Sequence, residues 1–227
     1  MIPLHDDQPT KIVPFVTIVL ILINAWVFIG WQLQVGIERS VMQAAMVPAE
    51  FTGSPEPGDF RNMLSSMFMH GGWMHLIGNM WFLWIFGNNI EDAMGHVRFV
   101  VFYLLCGVLA DFAHIAASPF STVPMIGASG AVSGVLGAYL VLHPRARVMT
   151  LVPLGLFTRI MPLPAWMFLL LWIVLQIVSQ LVLLGRTNQS PQGGVAYLAH
   201  IGGYVAGLVL IFFFKKERRS RSVERFS

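Results

Sequence analysis

Hydrophobic residues form long runs along this chain, and short polar connections separate them. Each run approaches the roughly 20 residues that a helix needs to cross about 30 Å of hydrocarbon. The pattern predicts six transmembrane helices, at about residues 13–33, 74–91, 98–116, 127–142, 163–184 and 195–214. The second and fourth runs are less apolar, because they contain His75, Asn79 and Ser129. We therefore predict an all-α polytopic membrane protein, in which residues 1–227 form one domain around a six-helix bundle.

Composition and charge agree with a membrane protein. Of the 227 residues, 56% are hydrophobic and 11% are charged, whereas about a quarter are charged in an ordinary soluble domain. Only three of the 14 Lys and Arg residues, Arg39, Arg61 and Arg186, fall in outer segments if the N-terminus is cytoplasmic. The positive-inside rule then predicts that both termini are cytoplasmic. The excess of basic residues is a signal of topology and does not indicate binding to nucleic acid.

Two further segments are informative about location and surface. Residues 215–227 form a basic cytoplasmic tail, which either contacts anionic lipid headgroups or acts as a stop-transfer anchor. Residues 34–72 form a long connection of mixed polarity, which predicts short amphipathic helices at the outer interface. We expect a bacterial inner membrane, because the chain is compact and shows no evident transit segment. Cys106 is the single cysteine, so neither a disulfide nor a Cys-based metal site is available.

A serine and a histidine are the candidate reacting groups. Ser129 lies between glycines in "MIGASGAV" (125–132), and His200 lies in "AYLAHIGGYVAG" (196–207). Small residues follow both: Gly130, Gly134 and Ala138 in the fourth helix, and Gly203 and Gly207 in the sixth. Such stripes let two membrane helices approach closely. We expect this approach to bring Ser129 and His200 within reach, although each residue alone is more typical of helix packing.

The second helix supplies candidate donors for an oxyanion. His75 and Asn79 stand four residues apart in "HGGWMHLIGN" (70–79), so they share one helix face. Attack by a serine on a carbonyl creates an oxyanion, which requires preorganised hydrogen-bond donors. Both side chains can donate, as can the backbone N–H of Ser129. The alternative for the pair is an interhelical hydrogen bond that stabilises the bundle.

Together these motifs resemble those of the rhomboid intramembrane serine proteases. "GASG" at 127–130, the segment at 70–79 and "AHIGGYVAG" at 199–207 are similar to the family's three signature motifs, in the same order and helices. "EDAMGHVRF" at 91–99 also resembles the family's acidic–glycine turn before the third helix. The resemblance extends from the first helix to the sixth.

The resemblance implies a role for each matching residue. Ser129 would be the nucleophile and His200 its general base, with His75, Asn79 and the Ser129 N–H as oxyanion donors. It implies structural roles near the site for the residues His70, Gly127, Gly130, Gly203 and Gly207, and loop-fixing roles for Glu91 and Arg61. In the family, the first loop and the fifth helix are associated with the cavity and with lateral entry of substrate.

Two positions depart from the family pattern. Phe60 precedes Arg61 where many members have tryptophan, and Ser133 occupies a position where some bacterial members have a tyrosine that packs under the base. What orients the His200 ring is therefore left open, with Tyr197 and Tyr204 as candidates. Neither departure removes a reacting group.

Several other functions are weighed against serine proteolysis. A rhomboid-like protein that binds membrane clients without cutting them is the main alternative, and its expected mark is loss of the serine or histidine. Asp111 and His114 could form the relay of a transporter, although no paired half-repeats are evident. His70 and His75 lack the spacing and glutamate of a zinc protease helix. We expect no metal and no cofactor, and as partners transmembrane protein substrates and membrane lipids.

Overall fold

The computed structural model describes residues 1–154, 157–184 and 196–216. Three predicted features lie outside the described residues. They are Arg186 in an outer connection, Val195 at the start of the predicted sixth helix, and the part of the predicted tail beyond residue 216. The helices are α1 (Phe15–Trp26), α2 (Leu33–Val35), α3 (Ile37–Ala44), α4 (Pro48–Gly53), α5 (Pro57–Ser65), α6 (Trp73–Met94), α7 (His96–Ala117), α8 (Ser129–Leu142), α9 (Ala165–Leu184) and α10 (Tyr197–Phe214). A π-helical segment, Val27–Gln32, joins α1 to α2, and a 3₁₀ turn, Ser66–Phe68, follows α5.

Within the described residues, four helical segments are long and apolar enough to cross a membrane. They are Phe15–Val35, His96–Ala117, Ala165–Leu184 and Tyr197–Phe214. The other two predicted spans correspond to α6, which has 22 residues but is less apolar, and to α8, which has 14. At 1.5 Å per residue α8 is only about 21 Å long. The structure therefore confirms a mostly helical membrane protein, while the count of six spans stays a prediction.

A three-stranded antiparallel sheet corrects the prediction of an all-α fold. Its strands are β1 (Ile2–Asp6), β2 (Arg147–Leu154) and β3 (Phe157–Pro164), in the order β1-β2-β3. Val148, Thr150 and Val152 are buried, so β2 shows the two-residue period of a sheet with one covered face. Hydropathy windows of transmembrane length average over this period, which is why the strands were not predicted.

The first strand is tied to the helices by side-chain hydrogen bonds. Asp6 accepts hydrogen bonds from Tyr139 Oη on α8 and from Asn89 Nδ2 on α6. Burial raises the pKa of the Asp6 carboxyl. The neighbouring Asp7 is exposed, and hydrogen bonds from the Gln8 side chain and the Arg147 amide lower the pKa of its carboxyl. Two adjacent carboxylates therefore have pKa values displaced in opposite directions.

A buried carboxylate at the end of α6 holds the start of α1. Glu91 is 0% exposed, and its oxygens accept the amides of Val16 and Thr17 at 2.8 Å and the Thr17 hydroxyl at 2.7 Å. These amides belong to the first turn of α1, where backbone donors have no partner within the helix. Asp92 accepts the amides of Lys11 and Ile12 just before α1, both at 3.2 Å. The anchoring role that the resemblance implied for Glu91 is thus present in the structure.

The predicted outer connection contains short helices, as expected. They are α3, α4 and α5, and Met46 pairs with Met125 in an isolated antiparallel bridge beside them. Met63 packs in one cluster with residues of α7 and α10. Arg61 is exposed and makes no side-chain hydrogen bond or ion pair with any described residue, so nothing in the structure supports a loop-fixing role for it.

Helix α8 lies at the centre of the fold and packs most closely against α10. Every residue from Gly130 to Tyr139 is buried. A Cβ built on Gly203 would lie 2.0 Å from the Gly130 carbonyl oxygen, and one on Gly207 would lie 1.9 Å from that of Gly134. Only glycine permits such contact between two helix backbones. The small-residue stripes therefore do form the contact between α8 and α10.

Candidate functional site

Ser129 is the first residue of α8, and a strained turn places it there. Gly127 has φ +118°, a conformation that L side chains rarely adopt, and its amide donates to the Ser66 carbonyl at 2.9 Å. A Cβ on Gly127 would also lie 2.6 Å from His75 Nε2. Glycine is therefore required both by the backbone and by the neighbouring ring. The turn leaves the amides of the first turn of α8 without partners inside the helix.

His200 lies one turn into α10, beside the start of α8. Gly130 follows Ser129 directly, and a Cβ on it would lie 4.0 Å from the carbonyl oxygen of Ala199, the residue before His200. The chain neighbours of Ser129 and His200 are thus in contact. Among the hydrogen bonds of the described residues, none joins Ser129 Oγ to His200. Serine–base hydrogen bonds are often long in the absence of substrate.

His75 and Asn79, on α6, direct donors towards the same place. The Gly71 amide donates to His75 Nδ1 at 3.4 Å, so in the neutral ring the proton is on Nε2, the atom that approaches Gly127. Asn79 is 8% exposed, and its Nδ2 is buried without a hydrogen-bond partner among the described residues. A buried unpaired donor costs about 1–3 kcal/mol. It is therefore a position where an incoming acceptor would be stabilised.

A cavity of about 320 Å³ brings these side chains together. It lies between α6, α8, α9 and α10, and Ser129, His200, His75 and Asn79 all line it. The remaining lining residues are Met74, Gly78, Phe82, Val132, Ser133, Leu136, Trp172, Gln176 and Tyr197. Polar groups thus converge in a largely apolar pocket, which is the usual composition of a ligand site.

Two lining residues on α9 were missed by the reading of the sequence. Gln176 Oε1 lies 2.9 Å from His200 Nδ1, and the Trp172 ring lies 5.8 Å from the His200 ring. The available signal was the pair of amides, Gln176 and Gln180, in a long apolar helix, because polar groups are costly there unless they serve a purpose. Ser133 Oγ instead donates to the Ser129 carbonyl at 2.6 Å.

His70 is part of the support beneath the site. It is 0% exposed in the connection before α6, and its ring lies 5.1 Å from that of His75. Burial, with a smaller contribution from His75, lowers the pKa of His70 to about 3, so its ring is neutral. Gln32, at the end of the π-helical segment, accepts the His70 amide at 2.9 Å and donates to its carbonyl at 3.2 Å. This pair of bonds ties the first membrane helix to the connection.

Asp111 and His114, the candidate relay, lie outside this cavity. No hydrogen bond joins them, and Asp111 Oδ2 and His114 Nδ1 have no partner among the described residues. Asp111 and Ser129 both line a second cavity of about 20 Å³, which is room for about one water molecule. Within the described part of the chain, no group of three or more His, Cys, Asp or Glu residues is placed to hold a metal ion.

Comparison with known proteins gives consistent matches. Residues 57–217 match the family described as "Rhomboid domain". The chain is 31% identical over 134 residues to the presenilin-associated rhomboid-like protein, mitochondrial, of Mus musculus, a match covering 57% of this chain and 33% of the relative. It is 32% identical over 160 residues to Rhomboid-like protease 5 of Toxoplasma gondii, covering 68% and 16%. It is 36% identical over 98 residues to Rhomboid protease GluP of Bacillus subtilis (strain 168), covering 43% and 19%. The matches thus span a third or less of each of these three relatives.

Proposed function

Because the chain belongs to the rhomboid family, we propose that it is an intramembrane serine protease that hydrolyses peptide bonds in or near transmembrane segments of membrane proteins. The observation that carries the proposal is the cavity, in which Ser129 and His200 face two side-chain donors, His75 and Asn79. Among the relatives, those from Toxoplasma gondii and Bacillus subtilis carry the word protease in their names.

In the proposed reaction, His200 acts as general base and then as general acid. Ser129 Oγ attacks the scissile carbonyl carbon, and its proton passes to His200 Nε2. The protonated ring then gives the proton to the leaving amine as the C–N bond breaks, which leaves an acyl ester on Ser129. A water molecule, deprotonated by His200, attacks the ester and releases the acid product with regeneration of the serine. The dyad has no acidic third member.

The negative charge that develops on the carbonyl oxygen needs donors already in place. His75 Nε2–H, Asn79 Nδ2–H and the Ser129 backbone N–H are the proposed donors. Removing one donor of this kind typically lowers kcat by about 10²–10³-fold. Asn79 Nδ2 is buried and has no partner among the described residues, which supports this role because the donor is available to an incoming acceptor.

The proposed substrate is a single-span membrane protein with small, helix-weakening residues at its outer end. A helical segment hides its carbonyl groups in its own hydrogen bonds, so the scissile region has to unwind before Ser129 can reach it. Lipids are the second proposed partner, because α9 presents large apolar side chains at its surface. The cavity also has to hold the water that hydrolyses the ester.

We also propose a bacterial inner-membrane location with both termini cytoplasmic. The orientation rests on the sequence, because only three of the 14 Lys and Arg residues occupy predicted outer segments. One of the relatives is bacterial, and another carries the word mitochondrial in its name. Protease accessibility of tags at the two termini, measured in inverted and right-side-out vesicles, tests this orientation.

The test of the activity uses a model single-span substrate in liposomes. Wild type is compared with Ser129→Ala and His200→Ala, and Ser54→Ala, on an exposed loop, is the matched serine control. We expect both site variants to lose at least about 10³-fold in cleavage, while the control and a chelator-treated wild type retain full activity. Unchanged cleavage by Ser129→Ala would refute the mechanism. A folded wild type that binds several substrates and cuts none would favour the client-binding alternative.

A further inference from the structure

The catalytic base is in polar contact with a helix other than those that carry the proposed reacting groups. Gln176, on α9, places its Oε1 2.9 Å from His200 Nδ1. The amide nitrogen of the same side chain donates to the Trp172 carbonyl, one turn earlier on α9, at 3.4 Å. The nitrogen end of the amide is therefore occupied by its own helix, and the oxygen end faces the imidazole.

This arrangement selects one form of the His200 ring. An amide oxygen only accepts hydrogen bonds, so His200 Nδ1 has to carry a proton to bond with it. A neutral imidazole has a single N–H, and Nε2 is then left with the free electron pair that a general base needs. In other serine and cysteine hydrolases a carboxylate or a neutral amide performs this function from a third position. Here the neutral Gln176 accepts the hydrogen bond from Nδ1 of the base in the same way.

Aromatic rings on α9 and α10 hold the His200 ring from the sides. Trp172 lies 5.8 Å from it at an interplanar angle of 34°, and Tyr204 stacks behind Trp172 at 6.1 Å and 27°. Tyr197 meets the His200 ring edge-on, at 6.5 Å. Of the two tyrosines considered from the sequence, one contacts the ring directly and the other acts through Trp172. Ser133 does not contribute, since its hydroxyl bonds to the Ser129 carbonyl.

The buried side chains of helix α9 lie near its start. Its buried side chains are Ala165, Phe168 and Leu169, all within the first five residues. There Phe168 stacks on Phe86 of α6 with ring centroids 6.1 Å apart. From Leu170 onward no side chain of α9 is buried, and in this part of the helix Trp172 and Ile173 are partly buried against the core. The orientation of His200 therefore depends on the position of this part of α9.

We propose that Gln176 is a positioning residue that fixes the tautomer and orientation of His200 through its Oε1. His200 can then act as a base only while α9 is packed against α10 in this position. The inference rests on the proposed function for its catalytic consequence, although the tautomer itself can be measured without any substrate.

The other titratable groups near His200 are few. Among the described residues that line the cavity they are His75 on α6 and Tyr197 on α10. Asp111, on α7, lines the smaller cavity together with Ser129 and Ala199 and does not line this one. No charged side chain of α8 or α9 lines it within the described residues. A carboxylate introduced at position 176 would therefore be the nearest charge to His200 on this side.

The first experiment measures cleavage by Gln176→Leu, Gln176→Glu and the control Gln180→Leu. The control makes the same change one turn further along α9, at a residue that does not line the cavity. We expect Gln176→Leu to lower kcat by about 10–100-fold with KM nearly unchanged, which is the effect typical of hydrogen-bond partners that fix the tautomer of metal-bound histidines. Gln176→Glu restores the acceptor, so it recovers most of kcat, and its charge moves the acid limb of the pH–rate profile upward by about one pH unit or more.

The second experiment reads the tautomer directly. In wild type with ¹⁵N-labelled histidine in micelles, the His200 ring should show a protonated Nδ1 and an unprotonated Nε2. Gln176→Leu should give a mixture of the two tautomers, while Gln180→Leu matches wild type. A His200 tautomer that is the same in all three proteins would overturn the proposal, as would wild-type kcat and pH profile in Gln176→Leu or a change confined to KM. If wild type cuts no substrate, the proposed function fails, and the tautomer spectrum still decides the role of Gln176.

Discussion

Replacing Gly203 with alanine should separate the two helices that carry Ser129 and His200. The added Cβ would lie 2.0 Å from the Gly130 carbonyl oxygen, whereas 3.4–4 Å is an ordinary contact. The three nearest atoms all belong to the Gly130 backbone, so no flexible side chain can move aside. The shortfall of about 1.4 Å has to be met by moving α8 and α10 apart, because packed interiors have no spare space.

The separation should affect catalysis more than stability. Ser129 precedes Gly130 directly, and His200 lies one turn before Gly203, so the displacement reaches both reacting groups. Misplacing reacting groups by about 1 Å can cost about 10²-fold in rate, whereas overpacking of this kind typically costs about 1–3 kcal/mol in stability. We therefore expect kcat for Gly203→Ala to fall by about 10²-fold or more in a protein that still folds.

The assay combines cleavage of the single-span substrate with thermal unfolding in the same detergent. Gly58→Ala is the matched control, because a Cβ there meets nothing within 4 Å and alanine favours a helix over glycine by up to about 1 kcal/mol. Wild-type kcat and melting temperature in Gly203→Ala would refute the close approach of α8 and α10. Loss of activity in the Gly58→Ala control would show that the assay is not specific for the helix contact.

Further predictions concern the anchors outside the site. Glu91→Ala should lower the free energy of unfolding by about 3 kcal/mol, because buried amides at the start of α1 lose their acceptor. The control Asp92→Ala should lower it by less than about 1 kcal/mol. Equal losses of the two variants, measured by unfolding in detergent, would contradict the anchoring role of Glu91. Asp6 and Asp7 should respond to pH with opposite signs. Burial raises the pKa of Asp6, so its cost to stability is absent below the ordinary value of about 3.9 and grows as the pH rises towards the raised value. Hydrogen bonding lowers the pKa of Asp7, so its contribution is present above about 3.9 and is lost as the pH falls through the lowered value. Melting temperatures of wild type, Asp6→Asn and Asp7→Asn, measured against pH, check both signs. If the two substitutions change the pH dependence of the melting temperature in the same direction, the opposite pKa displacements are refuted.

The sequence alone predicted the long helices and the motifs that carry the candidate site residues. Each predicted span coincides with a helix in the described residues, because apolar runs of this length have few alternatives in a membrane. The glycine stripes also predicted the contact between α8 and α10, since only small residues let two helix backbones approach so closely. The motifs predicted Ser129, His200, His75 and Asn79, which are four of the residues that line the cavity.

Tertiary structure alone decided the contacts between segments that are distant in the sequence. The sheet depends on pairing residues near the N-terminus with residues beyond position 147, and no local period predicts such a partner. The acceptor for His200 Nδ1 comes from α9, and a glutamine in an apolar run does not by itself indicate which helix it faces. Hydrophobic periodicity determines which residues form a helix, but the orientation of one side chain is determined by the neighbours that the whole fold brings to it.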